Sequence, residues 1–320
     1  MDPGTGRIVL RKHGSEATFS ELSYVYPLKL LSPRLSPQNA NAVYVLTYGG
    51  GLVGGDRVEL SVVVDAGAAL VMLTQGSTKV FKNRPGHRLS ARSQGTLSDA
   101  VTTQSLEVSV AREGALFLLP DPVTCFRSAA YNQVQIFRID TSASLVLLDW
   151  VTSGRKSLGE EWAFSRYYSM NEVWICDRPL AKDVRKAKDI RKAKDARKEK
   201  DVRLVKDVML LEEQEPVHSL PLRTLADSLA PYSCYATLIM CGPLVQSTLR
   251  SLSTEYAQVT VFKHASPPDL LWSFSVIGDG TACVVRVAGT ETETVKDWLG
   301  ERLAPFEGAM GPDLYHRAFG

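Results

Sequence analysis

The sequence predicts a mainly β protein with a few helices, in which irregular β-coils stack as in a β-helix and the helices fall in the C-terminal third. Short runs of β-branched and aromatic residues recur through the first two-thirds, separated by Gly, Asp, Ser and Pro. Three longer segments repeat one strand–turn–strand layout. Apolar residues at helical spacing occur only near the end of the chain.

The strands are indicated by alternation. Apolar residues occupy every second position in two segments, namely Val58, Leu60, Val62 and Val64, and Leu106, Val108 and Val110. The residues between them are polar or would point to the other face of the sheet. A half-buried strand has this period of two, because successive side chains point to opposite faces. Further short apolar runs predict strands at 42–48, 69–74, 115–120, 144–151, 162–168 and 171–175.

The repeated layout occupies residues 60–75, 106–121 and 135–150, with tight turns around Gly67, Gly114 and Ser142. Each copy buries its apolar face on the next if the copies stack. Stacking would bring the residues that end each second strand to one rim: Thr74, Gln75, Asp121 and Asp149. Polar side chains in such a row form a binding rim, or they cap strands and face water, and the sequence leaves both interpretations open.

Residues 182–211 differ in kind, because they carry five tandem copies of a charged hexad that begins with Lys-Asp. Six residues turn a helix by about 600°, so the apolar third position moves around the axis and forms no stripe. We therefore expect a charged insertion, solvated and partly helical or disordered, within a single domain that spans 1–320. Nuclear localisation is a weaker interpretation of these basic runs, because regular aspartates dilute their charge.

The last third predicts helices that alternate with strands. Apolar residues recur at helical spacing in 219–232 and 242–256, and Thr290 with Glu293 forms a capping-box pattern ahead of a third helix. Strands are predicted at 234–240, 258–263, 271–277 and 281–288. This region should therefore pack helices against the β-coils.

Composition excludes several classes of protein. The formal net charge of the 320 residues is +2, and acids interleave with the bases, so nucleic acid is not expected as a partner. There is no apolar run near the roughly 18 residues that span a membrane and no signal-peptide pattern, so we expect a cytoplasmic protein. The five cysteines are odd in number and scattered, which indicates reduced thiols; Cys234 and Cys283 lie in core-like strands.

Motifs for catalysis are weak. Gly49, Gly51 and Gly54 fit a dinucleotide-binding fingerprint, but a strand follows them where the fingerprint needs a helix N-terminus. Paired carboxylates could serve a carbohydrate-active hydrolase on a β-coil fold, which is the alternative function. The candidate carboxylates for that pair are Asp121, Asp149, Glu160 and Glu161. A carbohydrate-binding module would need exposed aromatics, whereas Trp150, Trp162, Tyr167 and Tyr168 sit in apolar runs that indicate core.

Two segments together carry a family resemblance. YGGGLVGGD (48–56) followed by LTQGSTKVFK (73–82) resembles the signature of the UreD (also called UreH) urease accessory proteins. Further stretches agree in order at 25–33, 119–122, 147–169, 235–243 and 311–319, so the resemblance covers almost the whole chain. The stretches YPLKLLSP and LLDWVTSGR resemble the eukaryotic branch, whereas the hexad repeat departs from the family pattern.

The resemblance implies a β-helix-like fold and a role without catalysis. It implies a scaffold that holds a helical accessory protein (UreF type) and a nickel-carrying GTPase (UreG type) against apo-urease, with Ni²⁺ bound only transiently and no tight cofactor or fixed metal site. The implied nickel passage maps onto Asp56, Thr74, Gln75, Thr78, Asp121 and Glu161. Asp56 could instead cap its own turn. Glycines of that turn, Gly50, Gly51, Gly54 and Gly55, would permit positive φ or close backbone approach.

Overall fold

The computed structural model describes residues 2–14, 16–33, 39–82, 101–177, 201–212, 223–259 and 267–320. Its strands are β1 (Thr5–His13), β2 (Glu16–Tyr24), β3 (Leu28–Leu31), β4 (Asn41–Thr47), β5 (Arg57–Val64), β6 (Ala69–Leu73), β7 (Thr78–Val80), β8 (Thr102–Val110), β9 (Ala115–Leu118), β10 (Val123–Cys125), β11 (Ala130–Asp140), β12 (Ser144–Thr152), β13 (Arg166–Cys176), β14 (Val202–Glu212), β15 (Cys234–Cys241), β16 (Leu270–Ile277) and β17 (Ala282–Gly289). Its helices are α1 (Leu225–Leu229), α2 (Gln246–Tyr256), α3 (Thr292–Leu303), α4 (Glu307–Met310) and α5 (Pro312–Phe319).

Three strand–turn–strand coils form the centre of the molecule, as the repeated layout predicts. The first strands β5, β8 and β11 pair in parallel in one sheet, and the second strands β6, β9 and β12 pair in parallel in another. The coils stack in register, since Leu116 lies between Leu70 and Leu145. The mainly β fold with helices in its C-terminal part is thus confirmed.

Antiparallel strands flank the coils and make the fold irregular. Sheet 1 runs β14-β13-β11-β8-β5-β1-β2, with β2 and β14 antiparallel at its two edges. Sheet 2 runs β16-β17-β15-β12-β9-β6-β4-β3, and the short strands β7 and β10 pair beside β12. The strands beyond β12 in sheet 2 pair antiparallel to one another and to β12, which ends the coil pattern there.

The core has two parts because sheet 2 is covered on both faces. One apolar cluster fills the space between the sheets, with Ile8, Phe137 and Leu147 fully buried. The second lies between the other face of sheet 2 and the helices, where Leu249, Leu299 and Leu314 pack on the sheet. The result is three layers, and the outer face of sheet 1 is not covered by a described helix.

The end of the hexad repeat forms a strand, which corrects the expectation of a partly helical or disordered insertion over its last copies. β14 pairs with β13, and its side chains alternate between core and solvent. A period of six is even, so each repeat position stays on one face of a strand, although it moves around a helix. Val205, Met209 and Leu211 pack on the core, whereas Val208 and Leu210 are exposed. Residues 182–200 lie outside the described residues.

The predicted helices are partly right. The helix over 242–256 is confirmed as a 3-10 turn followed by α2. The described part of 219–232 holds only the single turn α1, whose capping box joins Thr224 and Asp227. The capping box expected from Thr290 and Glu293 does not form, because α3 begins after Glu291, which makes no side-chain cap. The helices α4 and α5 are not predicted by the sequence analysis.

The strand predictions at 162–168 and 171–175 merge into β13, which begins only at Arg166. Trp162 has a positive φ of 51° and therefore lies in a turn. Trp150, Trp162 and Tyr167 are buried, as predicted for core aromatics, while Tyr168 is half-buried on the outer face of sheet 1. Most of the predicted strand 258–263 lies outside the described residues.

All five cysteines are free and buried, as their scattering predicts. Cys234 and Cys283 are fully buried in β15 and β17. Among the described helices, not one combines the length and apolarity needed to cross a membrane.

Candidate functional site

An interior cavity lies between the two sheets and opens at the rim where the second strands of the coils end. Its volume is about 120 Å³. It extends from the exposed Gln75 and Gly76 at the rim to buried polar side chains of the sheets. The polar residues that line it are Thr47, Thr74, Gln75, Ser77, Thr78, Gln104, Asp121, Gln133, Gln135 and Asp149. Its donors to any cation are therefore oxygen atoms of carboxylate, amide and hydroxyl groups.

The rim is held together by one carboxylate. Asp121, which follows β9, accepts hydrogen bonds at Oδ2 from Thr74 Oγ1 (3.1 Å) and from the backbone amide of Gly76 (2.9 Å). The backbone amide of Asp121 donates in return to Thr74 Oγ1 (2.7 Å), so the ends of β6 and β9 are cross-linked. Asp121 thus caps its neighbours and also lines the cavity, so the capping interpretation is confirmed for this residue, and the binding rim stays a prediction.

Asp149 is not a rim residue, because β12 continues to Thr152 and turns the carboxylate into the space between the sheets. Sheet 1 supplies its partners: Gln133 Nε2 donates to Oδ1 (3.0 Å), and Ser169 Oγ (2.5 Å) and Asn171 Nδ2 (2.7 Å) donate to Oδ2. Tyr131 extends this network by donating from its hydroxyl to Gln133 Oε1 (3.0 Å). These residues form the inner end of the cavity region.

Sequence reasoning missed Gln133, Gln135, Ser169 and Asn171. All four occupy inward positions of β11 and β13, where the alternation calls for apolar residues. Polar residues at such positions were the available signal, because a buried polar group needs partners and costs free energy without them. Identifying which residues of β11 and β13 point into the core would therefore have revealed the polar residues at the inner end of the cavity.

The inner end is acceptor-rich. Burial raises the pKa of Asp149 and outweighs the hydrogen bonds that lower it, and the neighbouring Asp207 raises it further. Asp207 is itself paired with Arg286 across the sheets. The amide oxygens Gln135 Oε1 and Asn171 Oδ1 are buried without a hydrogen-bond partner. Such oxygens can accept from a water molecule or contact a cation.

Two of the six predicted passage residues do not line the cavity. Asp56 accepts a hydrogen bond at Oδ2 from the backbone amide of Val53 (2.7 Å), so it caps its own turn, which was the alternative role. Glu161 is exposed beside the buried Glu160. Glu160 forms a bidentate ion pair with Arg155 (2.6 and 2.9 Å), which lowers the pKa of this carboxyl. The structure thus brings together Thr74, Gln75, Thr78 and Asp121 of the predicted set.

The glycine turn over 49–55 precedes the rim. Gly50 and Gly55 have positive φ values of 75° and 83°, as expected for glycine. Gly51 is required for a different reason, because a Cβ there would lie 2.6 Å from the backbone oxygen of Lys79. Leu52 bonds to the same strand segment: its amide donates to Lys79 O (2.8 Å) and its carbonyl accepts from Phe81 N (2.8 Å). The two sequence segments that carry the resemblance therefore pack directly together.

Strong metal ligands are not gathered in the described residues. Within them, no group of three or more His, Cys, Asp or Glu side chains could hold a metal ion. The described histidines His13 and His316 are exposed. Burial raises the pKa of the Cys241 and Cys283 thiols to about 12, so these thiols are protonated at neutral pH.

Comparison with known proteins gives a consistent result over the whole chain. The family model described as UreD urease accessory protein matches residues 2–312. Urease accessory protein 4 of Cryptococcus neoformans var. grubii is 37% identical over 312 residues, which cover 93% of this chain and 89% of that protein. Urease accessory protein D of Arabidopsis thaliana is 31% identical, covering 97% and 99% of the two chains. Urease accessory protein UreD of Sorangium cellulosum is 32% identical, covering 98% and 84%.

Proposed function

Because the chain belongs to the UreD family of urease accessory proteins, which act in urease maturation, we propose a specific role for it in that process. The chain acts as a non-catalytic scaffold for the delivery of nickel. In this proposal it forms a cytoplasmic complex with a helical accessory protein of the UreF type, a GTPase of the UreG type and apo-urease. Nickel is then a cargo that the chain passes on and holds only transiently.

The interior cavity is the observation that supports this proposal. Its wall carries oxygen ligands from the rim inward: Gln75, Thr78 and Asp121 near the opening, and Gln135 and Asp149 at depth. Oxygen ligands hold Ni²⁺ weakly compared with imidazole or thiolate, and a conduit needs weak sites because the ion must leave as easily as it enters. Of the two unpartnered amide oxygens, Gln135 Oε1 belongs to a residue that lines the cavity, and it can replace part of the hydration shell of the ion.

The buried thiols fit the same role. A thiolate in the route would retain nickel, since soft sulfur ligands bind such ions strongly. Cys125 lies close enough to Tyr131 to affect the titration of the phenol, but burial raises the pKa of the Cys125 thiol far above neutral pH. Cys125 also does not line the cavity, so its thiol does not compete with the oxygen atoms there.

The test is reconstituted activation of apo-urease with purified partner proteins, nickel and GTP, with and without this chain. Asp121→Asn keeps an acceptor for Thr74 and Gly76 but removes the charge, and Glu161→Gln is the matched control outside the cavity. We expect activation to require the chain, to fall about tenfold or more with Asp121→Asn at unchanged complex formation, and to persist with Glu161→Gln. Activation that proceeds equally without the chain would rule out the scaffold role.

A further inference from the structure

A second concavity lies on the surface and shares no lining residue with the interior cavity. It is lined by Val53, Phe81, Lys82, Phe126 and Arg155, and we refer to it as the basic-aromatic surface. The space that it encloses is about 550 Å³. Nickel passage gives these side chains no task, because two are phenylalanines, one is valine and two are cations.

The two segments that resemble the family signature build this surface. The hydrogen bonds between Leu52 and the backbone of Lys79 and Phe81 lay the glycine turn on the strand that leads to Phe81. Leu52 also forms an isolated parallel bridge with Val80. This backbone pairing brings Val53, which follows Leu52, close to Phe81, and both side chains line the same concavity. The turn thus positions apolar side chains on the outside in addition to bordering the rim.

The floor of the surface is apolar and ordered by ring contacts. Phe81 and Phe126 meet edge to face with ring centroids 5.2 Å apart. The Arg155 guanidinium carbon lies 4.1 Å from the centroid of Phe126, and two nitrogen atoms of the same guanidinium donate hydrogen bonds to the Glu160 carboxylate. Val53 is 43% exposed and both rings are half-buried. Rigid aromatic and Arg groups at a partly open apolar site are typical of interface anchors.

The charge around this floor is positive. Lys82 is exposed, and the side chain of Arg127, adjacent to Phe126, is 58% exposed. Glu160 is the acidic partner of both Arg127 (3.8 Å) and Arg155 (2.6 Å), so two guanidinium groups share one carboxylate. Asp56, which accepts from the backbone amide of Val53, is the second acid beside this floor, so the three cations Lys82, Arg127 and Arg155 face two carboxylates. A positive rim around an apolar floor favours a partner with the complementary charge.

We propose that the basic-aromatic surface docks an acidic segment of a partner protein. An apolar side chain of that segment seats among Val53, Phe81 and Phe126, and its carboxylates pair with Lys82 and Arg127. The proposal rests on the proposed function only for the choice of partners to test, which are the accessory proteins and apo-urease.

The test places a photoreactive benzoylphenylalanine at position 53 of the full chain, mixed with the purified partners. A second chain carries it at Leu271, which is 53% exposed on β16, as the control site. We expect position 53 to cross-link to a partner segment in which acidic residues flank an apolar one. The charge reversals Lys82→Glu and Arg127→Glu together should raise the Kd of that partner at least tenfold, with the larger loss at low salt.

Arg112→Glu is the matched reversal of an exposed cation in the turn after β8, and it should leave the Kd unchanged. Thermal unfolding of each variant checks that the fold is intact. The proposal is overturned by a cross-link in a neutral or basic segment, by no cross-link from position 53 in a complex that forms, or by reversals without effect. Activation that still requires the chain would then leave the scaffold role standing, whereas failure of every complex would remove both.

Discussion

Gly50 and Gly51 are adjacent, yet the structure requires glycine at each for a separate physical reason. Gly50 has a φ of 75°, which is a left-handed conformation, but open space lies where its Cβ would be. Gly51 has a φ of 166°, which any residue can adopt, but its Cβ would collide with backbone and with Phe81 Cε2 at 2.8 Å. One position therefore restricts the backbone conformation, and the other restricts the volume of the side chain.

Asparagine separates the two reasons, because it tolerates the left-handed region better than other residues with a Cβ. We expect Gly50→Asn to lower the free energy of unfolding by less than about 1 kcal/mol. Gly51→Asn should lower it by roughly 2–3 kcal/mol, because the turn must move away from β7 to admit the side chain. Urea denaturation of both variants measures the difference, and equal losses would contradict the close approach at Gly51.

Asp149 has a buried carboxyl surrounded by groups that act on its titration. Burial raises its pKa above the ordinary value of 3.8, the three hydrogen-bond donors lower the pKa by less than that, and Asp207 raises it further. Tyr131, Tyr167 and Cys125 also face this region, and burial keeps their own pKa values high, so they remain neutral. Asp149 is thus the acid whose titration matters at the inner end, and Arg286 offsets the charge of the neighbouring Asp207.

A raised folded-state pKa for an acid means that the folded protein binds the proton more tightly than the unfolded chain does. The contribution of Asp149 is therefore most favourable below pH 3.8 and declines as pH rises to the folded-state pKa. We expect the stability of the native protein relative to Asp149→Asn to fall across this window, by at most about 1.4 kcal/mol per pH unit. Chemical denaturation of both proteins from about pH 4 to 8 gives this difference, and a flat or rising difference would contradict the assignment.

At the scale of elements, β14 shows what periodicity can and cannot decide. The hexad excludes an amphipathic helix, and that inference holds for 202–212, but the same period of six suits a strand. The strand forms because β13 presents an edge with which it can pair, and this long-range contact is invisible in the local sequence. The three coils were predictable because each is a local strand–turn–strand unit, whereas the antiparallel flanks depend on distant partners.

One ion pair joins β14 of sheet 1 to β17 of sheet 2. Arg286 donates to Asp207, whose side chain is 9% exposed, while that of Arg286 is 53% exposed. Arg286→Ala would leave the Asp207 carboxylate buried near Asp149 without its cation, so we expect a loss of about 1–2 kcal/mol, reduced by the exposure of the arginine. Lys156→Ala, which breaks the exposed pair with Glu291, should cost less than about 0.5 kcal/mol. Thermal unfolding of the two variants compares them, and a cost for Arg286→Ala no larger than for Lys156→Ala would mean that the link between the sheets is unimportant.

For the whole molecule, the site divides into a part that the sequence predicts and a part that only the fold assembles. Thr74, Gln75 and Asp121 follow strand ends of stacked coils, so their meeting at one rim is predicted from the sequence, whereas Thr78 is implied only by the family resemblance. The inner end forms where inward-pointing residues of β11 and β13 bond to Asp149 of the opposite sheet. This contact depends on how the two sheets are aligned with each other, which no single segment of the sequence determines. Asp56, by contrast, bonds within its own turn, which the sequence offers as its alternative role.

The whole molecule also separates two tasks, since the interior cavity and the basic-aromatic surface share no lining residue. Mutations at sites without shared partners add in free energy to within about 0.5 kcal/mol. We therefore expect Asp121→Asn to lower urease activation without changing the Kd of the docked partner, and Lys82→Glu to raise that Kd without changing activation at saturating partner concentration. The double variant should show the product of the two fold-changes at limiting partner concentration. If the double variant loses no more activation than the stronger single variant, ion transfer and docking depend on the same structural element. The glycine turn, which borders both the cavity and the basic-aromatic surface, would then be the element to examine.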